Sequence, residues 1–173
     1  MKHNASREEL FGKLIAPHMN RLYQSAYRLT GSREAAEDLV QETLVKLYPK
    51  ISELQTIDRP EAWLKKVVYR QFVDGLRKRS RRPEHYTVDS SEGVDGLESQ
   101  GHSPEKLAET AEIRQNLEAA LDRLDASSRL VVVMHFVEGY TLPEMAEIHN
   151  LPMETLKTRL RRAKSRLKKF LRM

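Results

Sequence analysis

Residues 141–173, TLPEMAEIHNLPMETLKTRLRRAKSRLKKFLRM, constrain this chain more than any other stretch. Thr141 followed three residues later by Glu144 is a capping box, in which each side chain satisfies a backbone N–H left open at a helix start. Pro143 is tolerated in the unpaired first turn. A helix therefore runs to about His149. Asn150-Leu151-Pro152 ends it, because Asn accepts the left-handed conformation of a helix terminus and Pro can start the next helix but not continue the last. From about Met153 onward, Leu156, Leu160, Ala163, Leu167, Phe170 and Leu171 recur as one helical stripe. Lys157, Arg159, Arg161, Arg162, Lys164, Arg166, Lys168 and Lys169 lie between them. A capped helix, a tight break and a successor with an apolar seam and a cationic free side make a helix-turn-helix pattern, whose second helix enters a DNA groove. An ordinary amphipathic terminal helix with a solvated basic side would need only the last of these features.

Charge along the chain supports a polyanionic partner. Lys and Arg number 30 against 25 Asp and Glu, a net charge of +5, unevenly placed. Residues 61–82 hold eight basic and two acidic residues, 83–112 hold one basic and eight acidic, and 153–173 hold nine basic and one acidic. Two cationic blocks divided by an anionic one suggest two contacts with one polyanion. There are no cysteines, hence no disulfide, thiol nucleophile or cysteine metal site. The six histidines show no ligand spacing, and no glycine loop is built to cradle phosphate. No enzyme activity, metal or cofactor is expected. No apolar run reaches membrane-spanning length and no signal-peptide pattern opens the chain, so a soluble, cytoplasmic protein is expected.

Helical periodicity dominates the remainder. Leu10, Leu14, His18, Leu22, Ala26 and Leu29 mark a first segment that Pro17 should kink or divide. His18 is read as packing or interfacial. After Thr30-Gly31, Ser32 is a good N-cap for a second helix ending before Pro49. Ala36, Leu39, Val40, Thr43, Leu44 and Leu47 face inward, while Glu34, Glu37, Asp38, Gln41 and Glu42 gather outside. Acids near a helix start are favoured by its dipole; they would equally form a docking surface for a basic partner, and spacing alone does not choose. Residues 51–60 read as a loop or irregular turn. A third helix over about 61–81 buries Trp63, Leu64, Val67, Val68, Phe72 and Leu76. Its other side presents Lys65, Lys66, Tyr69, Arg70, Arg77 and Lys78, and Gly75 should interrupt it late. An aromatic among cations suits single-stranded nucleic acid, on which a base can stack while phosphates are neutralised.

Residues 83–103, poor in large apolar side chains, read as a flexible acidic linker. Ser103-Pro104 restarts a helix. Residues 126–137 (ASSRLVVVMHFV) have strand-like composition but no partner strand, so a buried helix is expected; His135 should pack inside and His149 lie at the surface. The fold class is all-α, two small helical domains with boundaries 1–82 and 104–173 about the 83–103 linker.

Taken in order, these segments resemble the extracytoplasmic-function (ECF) group of bacterial sigma factors in the sigma-70 family. AEDLVQET at 36–43 looks like region 2.2, AWLKKVVYRQFVDGLRKRSRR at 62–82 like regions 2.3 and 2.4, and the segment from Leu121 to Leu167 like region 4. The resemblance implies an alternative sigma factor that binds core RNA polymerase, through its β′ and β subunits, and directs promoter-specific initiation. It makes Asp38, Gln41 and Glu42 contacts to polymerase. Lys65, Lys66, Tyr69, Arg70 and Arg77 become contacts to the −10 element, where many members carry Asn at the position of Arg70. Lys157, Thr158, Arg159, Arg161 and Arg162 become contacts to the −35 element. It further implies that the 51–60 loop captures a flipped −10 base, and that an anti-sigma factor regulates the chain. Promoter elements one and a half to two turns apart lie ~50–70 Å apart at ~34 Å per turn. The linker spans roughly 25 Å relaxed and about 70 Å stretched. It permits both contacts at once without enforcing them, so polymerase must hold the two domains apart. A stand-alone helix-turn-helix repressor is the competing expectation; it would bind duplex as a dimer without polymerase, and the sequence offers no dimerisation heptad.

Overall fold

The computed structural model describes residues 2–80 and 115–171, and every described element is helical. The expected linker, the Ser103-Pro104 helix start and the basic pair Arg81-Arg82 lie outside the described residues. Cα proximity divides the chain into two compact units, residues 1–85 and 86–173.

In the first unit, helix α1 (Lys2–Ile15) passes through a single 3₁₀ turn (Ala16–His18) into α2 (Met19–Thr30). Pro17 sits in the first positions of that turn, where its missing N–H is least harmful, and so divides the segment as expected. Gly31, at φ 69°, caps α2 in the left-handed conformation and donates to the Tyr27 carbonyl at 2.8 Å. Ser32 follows as N-cap of α3 (Arg33–Leu47), its hydroxyl accepting from the Ala35 N–H. A 3₁₀ turn (Tyr48–Lys50) then leads to α4 (Ile51–Leu54) and, after a short connection, α5 (Pro60–Ser80).

Helices α2, α3 and α5 pack against one another. Their core contains Leu22, Ala26, Leu29, Ala36, Leu39, Val40, Leu64, Val68 and Phe72. Burying each large aliphatic or aromatic side chain contributes roughly 1.5–3 kcal/mol. Two expectations are corrected here. Residues 51–60 are not wholly irregular: Ile51 and Leu54, one turn apart, are both buried and make α4. Gly75 does not interrupt α5, which continues to Ser80 because Val73 and Leu76 on either side still pack inward.

In the second unit, a helix over residues 115–122 (α6) precedes α7 (Ala126–Val132), a π turn (Val133–Val137), α8 (Leu142–His149) and α9 (Met153–Leu171). The 126–137 segment is helical, with Leu130, Val131, Val132, Val133 and Met134 all buried. Asp125 caps α7, its carboxylate accepting from the Ser128 N–H at 3.0 Å and hydroxyl at 2.7 Å. Thr141 and Glu144 form the complete capping box. Asn150, at φ 47° and ψ 51°, ends α8 in the left-handed conformation and is the only non-glycine at positive φ among the described residues. His149 is corrected: only 1% exposed, it packs with Nε2 3.1 Å from Met134 Sδ. Met145, Ile148 and His149 fall three and four apart, so the buried side of α8 includes the histidine.

Arg129 is a buried cation that composition alone does not reveal. Its Nε donates to the Leu121 carbonyl at 3.0 Å and its Nη2 to Asp122 Oδ1 at 2.8 Å, fastening α7 to the end of α6.

Three substitutions in this chain have measurable outcomes. Gly75→Ala adds a Cβ whose nearest neighbour is the Arg79 Nη2 at 3.8 Å, an ordinary contact. It should stabilise α5 by about 0.5–1 kcal/mol, read as greater protection of α5 amides in hydrogen exchange. Arg129→Ala should cost roughly 2–3 kcal/mol, because it removes hydrogen bonds between a buried charge and two partners. Asp122→Ala should cost under about 1 kcal/mol, since that carboxylate is half exposed. Exchange protection of α7 reads both.

Candidate nucleic-acid interface

Helix α9 has two unlike sides. Leu156, Ala163 and Leu167 are buried against α7 and α8. Roughly opposite, Lys157, Arg161 and Arg162 are exposed and Thr158 half-buried; the spacing 157, 158, 161, 162 is that of one helical face. Arg159 stands apart from them, half-buried on the flank of the seam. The structure thus brings four of the five expected −35 residues onto one surface and sets Arg159 at its margin.

Two cations of α9, one on this surface and one at its margin, are already paired. Lys157 Nζ donates to Glu154 Oε1 at 2.6 Å, and Arg166 Nη1 to Asp125 Oδ2 at 2.7 Å. Burial pulls the Asp125 carboxyl upward, but the Ser128 hydroxyl and amide and the Arg166 charge outweigh it and hold the group below its ordinary value. The residue that caps α7 therefore also anchors α9.

On α5, Lys66, Arg70 and Arg77 recur four and seven residues apart along one side; Arg70 is exposed and the other two half-buried. Lys65 lies about a quarter turn away, where its Nζ is 3.4 Å from Glu61 Oε1. Arg21 of α2 also pairs with Glu61. Tyr69 is corrected. It is 0% exposed, packed in the core with Val68 and Phe72, and offers no stacking platform in this conformation. The inward sector of α5 is wider than a single stripe, and position 69 falls within it.

On α3, Asp38, Gln41 and Glu42 are all exposed, and Val45, missed in the sequence, joins them at 72% exposure. Spacings of three, four and seven put these residues on one face. Glu42 has a second attachment: its Oε2 accepts from Gln71 Nε2 of α5 at 2.6 Å, and Lys46 donates to the Gln71 Oε1. Gln71, largely buried, so links the acidic side of α3 to α5. No acidic or histidine cluster able to hold a metal, and no helix long and apolar enough to cross a membrane, occurs among the described residues.

Comparison with known proteins bears on both units. Residues 14–82 match the family model for Sigma-70 region 2, and residues 114–167 that for Sigma-70, region 4. The chain is 30% identical over 166 residues to the RNA polymerase sigma factor SigV of Bacillus subtilis, covering 94% of this chain and 92% of that one. It is 27% identical over 171 residues to the ECF RNA polymerase sigma factor SigW of Bacillus subtilis, covering 95% and 90%. Among solved structures, the sigma factor RpoE in complex with the anti-sigma factor NepR from Bartonella quintana matches with a TM-score of 0.62 at 26% identity, covering 94% of this chain and 97% of that one.

The electrostatics of α5 give a pH test. Burial raises the Glu61 carboxyl, but the hydrogen bond and charge of Arg21, with Lys65, hold it below its ordinary 4.5. A lowered folded pKa means stability present above 4.5 and lost as pH falls through the folded value. Glu61→Gln should therefore lower the thermal midpoint at neutral pH, and the gap from the parent should close on acidification below 4.5.

Proposed function

This chain belongs to the ECF sigma factors of the sigma-70 family, and from that premise we propose how its parts divide the work of promoter-specific initiation. Residues 1–82 bind core polymerase and the −10 element, residues 104–173 bind the −35 element, and residues 83–103 tether them. The observation that carries this division is the placement of a cationic helical surface in each unit, α5 in the first and α9 in the second. The protein acts in the cytoplasm, where its polymerase is.

The recognition helix α9 enters the major groove by its N-terminal half. Lys157, Arg161 and Arg162 reach base edges, where a good bidentate arginine–guanine pair gives about 1–3 kcal/mol of discrimination. Thr158 supports them, and Arg159, at the margin, holds phosphate. On α5, Lys66, Arg70 and Arg77 hold the backbone of the opened −10 strand, with Lys65 at its edge. Tyr69 serves by packing, orienting α5 from beneath. Opening costs about a few kcal/mol per disrupted step, and this grip offsets part of it. No side chain performs covalent chemistry.

Asp38, Gln41 and Glu42 meet a basic surface of polymerase, with Val45 giving the same face an apolar contact. The tie from Glu42 to Gln71 couples this face to the DNA-holding helix. The solved relative bound to NepR supports a further partner, an anti-sigma factor that sequesters the chain from polymerase.

Paired variants test the division. Arg162→Ala should weaken use of the −35 element about fivefold or more, measured by promoter competition in transcription, and leave polymerase affinity unchanged. Asp38→Ala should weaken polymerase affinity, measured by fluorescence titration, without altering promoter choice. Equal loss of polymerase affinity in both variants would contradict the assignment.

A further inference from the structure

A helix that reads base edges must be held at one rotation about its own axis. With side-chain tips ~5–6 Å from the axis, a roll of about 20° moves a tip roughly 2 Å. That is enough to break a hydrogen bond. The seam of Leu156, Ala163 and Leu167 fixes how closely α9 sits on α7 and α8. It fixes the rotation less well, because apolar burial is non-directional and the middle member of the seam is only a methyl group.

Two contacts outside the seam supply the direction. Arg166 Nη1 donates to Asp125 Oδ2 at 2.7 Å. One turn later, the Phe170 ring centroid lies 5.4 Å from Arg123 Cζ. Counted at ~100° per residue from the midline of the seam, Arg166 stands about 80° and Phe170 about 40° round to the same side. Both contacts end on the turn between α6 and α7, which holds Arg123 and Asp125. That turn is itself fixed. The Asp125 carboxylate accepts from the Ser128 N–H and hydroxyl, and Arg129 bonds the Leu121 carbonyl and Asp122. An acceptor that cannot swing lets Arg166 resist a roll of α9. An arginine one turn beyond Arg162 would ordinarily be read as a phosphate contact, yet this guanidinium is turned to a carboxylate of the protein.

We propose that Arg166 is a positioning residue: through Asp125 it sets the rotation of α9, and thereby which base edges Arg161 and Arg162 meet. The proposal rests on α9 being the −35 reader. It divides the cations of one helix into those that touch DNA and one that aims them.

The test uses the full chain with core polymerase on templates randomised across the −35 element, with selected templates sequenced and promoter affinity titrated at several salt concentrations. Arg166→Ala should flatten the preferences at the positions read by Arg161 and Arg162 by about two- to fivefold, the range a partly exposed pair can supply. The salt dependence should keep the parent's slope, since no phosphate contact is lost. Asp125→Ser keeps a good N-cap on α7 but removes the carboxylate. It should flatten the same positions, and adding Arg166→Ala to it should flatten them little further. Three results would overturn the proposal. One is an Arg166→Ala variant that keeps every preference or weakens all positions uniformly. Another is a salt slope shallower by about one, the mark of a lost phosphate contact. The third is additive loss in the double variant. Arg162→Ala separates the two failures. If it erases a preference while Arg166→Ala changes none, only the role of Arg166 is wrong; if neither changes any preference, α9 is not the reader.

Discussion

An α-helix buries apolar side chains along one direction, and in α9 Leu156, Ala163 and Leu167 use that direction. The rest of the second unit is arranged to receive them. Met145 and Ile148 from α8 and the Leu130–Met134 run of the α7 segment supply the opposing surface. Once this seam is closed, the cations of α9 have nowhere to go but outward. An exposed cationic face is then a by-product of the packing and needs no separate folding energy. The same logic holds in the first unit, where Leu64, Val68, Tyr69 and Phe72 turn the Lys66, Arg70 and Arg77 side of α5 away from the core.

Several of these cations are paired with carboxylates of the chain itself. Lys157 with Glu154, Arg166 with Asp125 and Lys65 with Glu61 are all partly exposed pairs. Such partly exposed pairs are worth about 0–1 kcal/mol each. They hold long side chains in defined positions on α5 and α9. Asp125 is the most connected of the acids, because it caps α7 and holds α9 through one carboxylate. Arg129, one turn into α7, fastens the same junction from inside. The interface is positioned as much by these polar ties as by the apolar seam.

The features legible in the sequence are those whose cause is local. The Thr141–Glu144 box, the left-handed Asn150, the Ser32 cap and the break at Pro17 each follow from a few adjacent residues, and each is present. The helical state of 126–137 was harder, since Val favours strands; burial overrode propensity there. What escaped were residues whose role depends on a partner distant in sequence. Tyr69 and His149 are amphipathic, and whether such a side chain packs or faces water is decided by the neighbouring helix. Arg129 and Gln71 look like surface residues until α6 and α3 are set beside them. The α4 turn carries a signal, Ile51 and Leu54 three apart, but four residues are too few to distinguish from a loop by period. For the candidate site, the basic stripe of α9 was plain from spacing, whereas the status of Arg159 at the margin needed the docked helix.

In the proposed division, one unit acts beside polymerase on opened DNA while the other reads intact duplex, and neither suffices alone. Run-off transcription by core polymerase on a pool of genomic promoters measures this most directly. Discrete transcripts should appear only when this chain is added, from templates sharing both elements. Tight binding to duplex DNA without polymerase, with no transcript from any template when polymerase is present, would contradict it.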